Sequence, residues 1–420
     1  MPPAFSTAKT TAAVAKPGRA GFGYRRGCSI FAAVRIVLAS VLKPVTDPRL
    51  LARLGRSLAA LPGAEVHIVA HRAADCPVAR PDTVAANVFL HPLFHFPRLS
   101  WARTAANRRL SRALHVLQPD VLIIGAAELL AAGLRWQRRT GRPLVYDVRE
   151  NYALNLRTQG VFPAPLARLL AWGLARLEAR AAPQLAAVLL AERVYAGQLP
   201  WLAHCRGPVA IIENKYQPPA ARPALLPAPG RLAPRPAGAP LRVLLSGTLS
   251  ALYGTFDVLA ALGNVPAGLL EVWVVGHAPL AADARRLRAC AARQPALRLT
   301  GIEAPVPHAA IVAAIRTADV GLLPYQNHPS LTGCIPTKLW EYLGEALPVL
   351  APTDASWRAG LPANHWPILA YERAALGAAL TQLTRTPPRA AGFEPPAEAF
   401  WASEAARVQA LISGLRGGAR

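Results

Sequence analysis

Residues 330–350, SLTGCIPTKLWEYLGEALPVL, gather the residue types that can hold an anion without a metal. A polar loop carrying Thr332, Gly333 and Cys334 leads into a helix that starts near Pro336, and Leu347-Pro348 turns the chain into a buried strand. A helix N-terminus offers unpaired backbone N–H groups and a partial positive charge, which suits a diphosphate. Thr332, Thr337 and Lys338 add side-chain donors. Glu341 follows about one turn later, where a carboxylate can accept two hydrogen bonds from a ribose diol. The same residues also describe a capped helix with a solvated Glu341, and by themselves they leave both readings open.

Other chemistries lack their residues. No G-x-x-x-x-G-K-[ST] loop is present, which argues against a P-loop ATPase. Gly21, Gly23 and Gly27 precede the first strand, where a dinucleotide fingerprint would have to follow it. Neither a G-x-S-x-G elbow nor an Asp-x-Asp pair occurs. His91 and His95 stand four apart, but Pro92 and Pro97 oppose a helix there and no acidic third ligand lies nearby, so neither a metal nor a cofactor is expected. The five cysteines, Cys28, Cys76, Cys205, Cys290 and Cys334, form no C-x-x-C pair, as in a protein of a reducing compartment. Apolar runs such as 121–134 are broken by Glu128 and fall short of the roughly 20 residues that span a bilayer. A secretory signal over residues 24–42 is interrupted by Arg35 and lacks a cleavage site.

Positioning falls to an alternation of strands and helices. Residues 35–41 are short, apolar and β-branched, as a strand buried on both faces should be. Leu50, Leu51, Leu54, Leu58 and Leu61 recur at helical spacing until Pro62-Gly63, and 65–70 reads as a second strand. Further strands are expected at 121–124, 144–147, 187–190 and 209–212, with helices at 102–117 and 127–140. A second set begins at 241–247 and continues at 270–276, 297–301, 320–324 and 349–351. Such alternation predicts parallel sheets covered on both faces, in two doubly wound units whose cleft is the expected site. Residues 1–33 read as a flexible basic extension, 34–216 as the first domain, 217–240 as a Pro/Ala-rich linker, 241–396 as the second domain, and 397–420 as a C-terminal helix and tail.

The run P-T-K-L-W-E-Y-L-G-E-A-L-P-V-L-A strongly resembles the donor-binding segment of GT-B glycosyltransferases, the family 4-like group above all. Five more segments are similar to that family in the same order: S-V-L-K-P-V-T-D-P-R, Y-D-V-R-E-N-Y, I-I-E-N-K-Y, S-G-T-L-S-A-L-Y-G-T and V-V-G-H-A-P. The resemblance covers residues 35–415. It implies an α/β chain of the GT-B class, with two Rossmann-like doubly wound domains, acceptor then donor, facing a cleft, and a C-terminal helix packing back on the first domain. Glu341 would match the second glutamate of the Glu-x7-Glu signature and hold the ribose of a nucleotide-sugar. The first glutamate falls on Gly333, a departure. Thr332, Gly333, Cys334 and Thr337 would hold sugar and phosphates, mainly through backbone groups.

Family members often carry an arginine and a lysine for the diphosphate in the segment aligned with Ser246, Gly247 and Thr248 through Gly254. Here those places hold Thr248 and Tyr253, which makes Lys338 the candidate for charge neutralisation. Asp147-Val148-Arg149-Glu150 is similar to the family's D-V-H-E stretch, with Arg149 where a histidine is common. An arginine there cannot act as a base but can stabilise a departing phosphate. Its alternative is an ion pair with Glu150 or Asp147. Lys43, Asp47 and Arg49 follow the first strand and should orient an acceptor hydroxyl, with Glu150 on the same side and Asp47 beside Arg149 and Lys338 among the catalytic candidates.

The resemblance implies a hexosyltransferase-type enzyme that moves a sugar from a nucleoside-diphosphate sugar to a glycan or lipid-linked hydroxyl, with retention, in cell-surface polysaccharide or glycolipid synthesis. A nucleotide-sugar epimerase and a non-catalytic nucleotide-binding or membrane-adaptor protein are the rival readings. The formal charge of +24, from 47 Lys plus Arg against 23 Asp plus Glu, suits an anionic partner. Nucleic acid is not expected, because no aromatic ribonucleoprotein-like strand, zinc finger or helix-turn-helix appears. Residues 94–117 and 166–180 interleave arginines with leucines, a pattern that fits either an anionic membrane surface or a helix with its leucines in the core. The expected location is the cytoplasm, peripheral on the inner face of the plasma membrane.

Overall fold

A computed structural model describes residues 34–72, 86–97, 100–219, 238–361, 368–388 and 394–417. The expected extension 1–33 and most of the expected linker lie outside the described residues. The first sheet consists of β1 (Val34–Pro44), β2 (Ala64–His71), β3 (Val88–Phe94), β4 (Val121–Ile124), β5 (Leu144–Val148), β6 (Ala187–Leu190) and β7 (Val209–Ile211). Its order is β3-β2-β1-β4-β5-β6-β7, and every pairing is parallel. The second contains β8 (Leu241–Thr248), β9 (Leu270–His277), β10 (Leu297–Ile302), β11 (Val320–Leu322), β12 (Val349–Pro352) and β13 (Ile368–Tyr371), in the order β10-β9-β8-β11-β12-β13, again parallel. Both orders reverse beside their first strand, the point at which ligands bind in open parallel sheets.

Strand periodicity explains the burial. Val37, Ala39 and Val41 of β1 point into one core with Leu110, Leu114 and Tyr146, while Ile36 and Leu38 point into another with Leu50, Leu54 and Leu58. In the second domain Val243 and Leu245 join Val258 and Leu287, and Leu244 joins Ile315, Leu339 and Tyr342. Two strands escaped the sequence reading. β3 contains Pro92, which looks like a strand breaker but is tolerated because β3 is an edge. β13 is the short opposite edge of the second sheet.

The C-terminal helix Trp401–Gly417 returns to the first domain. Trp401, Val408 and Ile412 enter the core that holds Leu50, Leu54 and Leu58, and the Trp401 indole N–H donates to Ser57 Oγ at 2.8 Å. The two chain crossings lie side by side: Tyr216 N–H donates to Ala399 O at 2.9 Å, and Trp401 N–H donates to Tyr216 O at 2.7 Å. That crossing is why the helix begins at Trp401 and not at 397, with Phe400 bridged to Tyr216. Buried ion pairs brace it, Lys215 to Glu404 at 2.7 Å and Arg316 to Glu345 at 2.5 Å, with Tyr216 bonded to Glu345 as well.

The two arginine-leucine helices differ. In the first, Leu110 and Leu114 are buried in the core, so the core reading applies to its leucines, while Val116 at its end is exposed. Among the described residues no helix is long and apolar enough to cross a membrane. Trp401→Ala should cost about 3–5 kcal/mol in urea unfolding, because it empties a fully packed site; a loss below about 1 kcal/mol would show that the helix is not docked there.

Candidate functional site

In the second domain the helix Thr337–Gly344 aims its N-terminus at the end of β8. Lys338 is buried and runs across Gly247, whose φ of +84° and missing Cβ make room; a Cβ there would lie 2.5 Å from Lys338 Cε. Lys338 Nζ lies 3.4 Å from Thr248 O, with the rings of Tyr253 and Tyr325 at 5.6 and 5.4 Å. Among the described residues it forms no ion pair. Burial pulls its pKa down to about 8, opposed by the Glu341 carboxylate. The ammonium thus arrives, from a different element, beside Thr248 and Tyr253.

Glu341 is not simply solvated: its Oε1 lies 3.0 Å from His308 Nε2, at the start of the helix His308–Thr317. His308, which follows the loop 302–306 after β10, was not singled out by the sequence. Gly333 has φ +73°, and a Cβ would fall 2.7 Å from Val194 Cγ2 of the first domain, so a larger side chain would be strained there. Thr332 and Thr337 are exposed. Burial and Glu192 push the Cys334 thiol up to about 12, which leaves it protonated at neutral pH. Ser246 departs from expectation. It is fully buried and its Oγ lies 2.9 Å from the Tyr342 hydroxyl, so strand alternation turns it to the helix.

In the first domain Asp47 Oδ1 accepts from the N–H groups of Arg49 and Leu50, both at 3.1 Å, and from Arg149 Nη2 at 2.5 Å. Burial works against the Asp47 charge, but Arg149 outweighs it and holds the carboxyl below its ordinary value. Arg149 therefore pairs with Asp47, not with Glu150 or Asp147. Asp147 belongs to Arg49, which reaches it through Nε at 2.9 Å and Nη2 at 2.5 Å and spends Nη1 on Ile212 O and Asn214. Buried, with a partner on each of its three nitrogens, Arg49 is a brace between the strand ends. Arg149 Nη1, in contrast, is buried with no hydrogen-bond partner. Lys43 Nζ lies 3.4 Å from Glu150 Oε1, and Asn155 Nδ2 donates to Glu150 Oε2 at 3.1 Å.

The halves meet. Burial chiefly, then the nearby Glu150 of the first domain and Cys334, raise the Tyr253 phenol. After β6, Glu192 Oε2 accepts from the Ile335 N–H at 3.0 Å, and Arg193 donates to Gly360 O at 2.7 Å while pairing with Glu213. Burial and the neighbouring Glu213 push Glu192 up to about 8. A Glu-Arg pair after a strand carries no sequence signal of such a role. Among the described residues no group of three or more His, Cys, Asp or Glu could hold a metal ion.

No protein-family model matches the chain, and no curated protein matches it in sequence. Solved structures do match in shape. Sucrose-phosphate synthase from Thermosynechococcus elongatus superposes with a TM-score of 0.66 at 15% identity, over 92% of this chain and 100% of that one. The catalytic domain of starch synthase IV from Arabidopsis thaliana, bound to ADP and acarbose, gives 0.60 at 14% identity over 92% and 99%. HepE from Anabaena, in complex with UDP and glucose, gives 0.59 at 14% identity over 91% and 100%. The chain is similar to these enzymes in fold, the two-domain GT-B arrangement.

A buried lysine with a lowered pKa destabilises the folded state while it is charged. Between about 8 and its ordinary value of 10.5 the folded chain loses this proton first, so the unfolded chain binds more protons and stability rises with pH. Lys338 should contribute a rise of up to about 3 kcal/mol across that window. Urea midpoints measured against pH should show it in the native chain and not in Lys338→Met; equal slopes in both would remove the burial account.

Proposed function

We propose that the chain is a family 4-like glycosyltransferase that moves a hexose from a nucleoside-diphosphate sugar to a hydroxyl of a glycan or lipid-linked acceptor, with retention, in cell-surface polysaccharide or glycolipid synthesis at the cytoplasmic face of the plasma membrane. The observation that carries this reading is the buried, unpaired Lys338 ammonium at the carboxyl end of β8, beside a free helix N-terminus. A fold shared with enzymes solved with UDP or ADP supports it.

In this reading Lys338 and the N–H groups around Thr337 stabilise the diphosphate as the glycosidic C–O bond breaks. Arg149 Nη1 is a second donor, held in place by the bond from its Nη2 to Asp47. Glu341, oriented by His308, accepts the ribose hydroxyls. Lys43 and Glu150 stand where an acceptor hydroxyl is to be oriented. The departing phosphate oxygen takes the acceptor proton on the same face as the new bond forms, which asks for no pair of acidic side chains. Charge balance comes from Lys338, Arg149 and the helix terminus, so the reaction needs no metal.

Thermal unfolding with a panel of UDP-, GDP- and ADP-sugars tests the proposal. One of them should raise Tm. Lys338→Met should weaken its binding about 10- to 100-fold, since a charge-assisted contact is lost. Glu341→Ala should weaken it about tenfold with little change in stability. If no nucleotide-sugar shifts Tm, the enzyme reading fails; conversion of the sugar without any acceptor would mark an epimerase instead.

A further inference from the structure

The second arginine-leucine helix, Ala164–Ala181, is built inside out. It seats on the first domain through Ala167, Ala171, Leu174 and Leu177, while its bulkier side chains point away. Leu169 is 62% exposed and Trp172 61%, with Leu166, Leu170 and Val161 of the preceding turn also open. Burying small residues and exposing a tryptophan and three leucines is the reverse of what water alone selects.

Charge says what covers this face. Residues 152–181 hold Arg157, Arg168, Arg176 and Arg180 against one acid, Glu178, which is buried and pushed up to about 7. Arg176 lies over the Trp172 ring at 5.5 Å, so apolar and cationic groups share one surface. A helix of this kind suits the interface of an anionic bilayer, with leucine and tryptophan among the acyl chains and arginine at the headgroups. We propose that the exposed face around Leu169 and Trp172 docks the first domain on an anionic lipid surface.

The placement is directional. Just before it, the helix Tyr152–Thr158 carries Asn155, bonded to Glu150 of the Lys43–Glu150 pair, and abuts the turn Pro329–Leu331 of the second domain. The lipid-facing helix therefore adjoins the mouth of the cleft on its acceptor side. Resting on the glycosyltransferase reading, this assigns the acceptor to the lipid-linked class, presented from the membrane and not from solution.

Flotation of the full chain with phosphatidylcholine vesicles containing about a third phosphatidylglycerol, against phosphatidylcholine alone, tests the surface. The native chain should float with the anionic vesicles, less so as NaCl rises from about 0.1 M. Leu169→Glu with Trp172→Glu should reduce binding about tenfold or more, and Arg168→Ser with Arg176→Ser should abolish the preference for anionic vesicles. All four residues are exposed, so Tm should be unchanged, and each variant should keep any nucleotide-sugar Tm shift of the native chain, which separates failure of the surface from failure of the enzyme reading. A native chain that ignores both vesicles overturns the proposal, as do glutamate variants that float normally. A dimer in vesicle-free solution that the glutamate variants dissolve would assign the face to a second copy and overturn it equally.

Discussion

A lysine ammonium inside a protein, with no carboxylate to pair with, is a cost that folding alone does not explain. Lys338 is held in that state by geometry: the first turn of its helix throws it across Gly247, and Tyr253 and Tyr325 close over it. Everything around the site is arranged to keep that charge desolvated. Gly247 lacks the Cβ that would block it, and the only oxygen within hydrogen-bond distance of Nζ among the described residues is the Thr248 carbonyl, at 3.4 Å. Such a site gains most from an anion, because an incoming phosphate supplies the hydrogen bonds and opposite charge that the fold withholds.

The first domain shows the same economy in a different form. Arg49 and Arg149 follow β1 and β5, the two strands that flank β4, yet Arg49 has a partner on each of its nitrogens and Arg149 keeps one without. Asp147 and Asp47 divide the two guanidiniums between them, and the second pairing leaves Arg149 Nη1 as a pre-oriented donor. The crossing at Tyr216 and the Glu192–Ile335 bond tie the two domains together.

Much of this was legible in the sequence where one residue's type and local period decide the outcome. Short apolar β-branched runs became central parallel strands, and the expected C-terminal helix packs back on the first domain. Lys338 stood out because Thr248 and Tyr253 supply no cation, which left it as the candidate for charge neutralisation. What stayed hidden depends on residues far apart in sequence. Arg149 finds Asp47, 102 positions away, and no spacing rule could prefer it over the adjacent Glu150. Ser246 belongs to a plausible motif but sits on the wrong side of its strand. Gly333 gives no hint in sequence that Val194 of the other domain lies against it. Of two helices with the same arginine-leucine pattern, one buries Leu110 and Leu114 and the other exposes Leu166, Leu169 and Leu170, and only the neighbouring elements make the difference.

A crystal structure of the chain with a bound nucleoside diphosphate tests the central claim most directly. The account places a phosphate oxygen within about 3 Å of Lys338 Nζ, with the ribose on Glu341. A nucleotide bound elsewhere, or one seated in the cleft with Lys338 still enclosed by Tyr253 and Tyr325 and touching no phosphate, would contradict it.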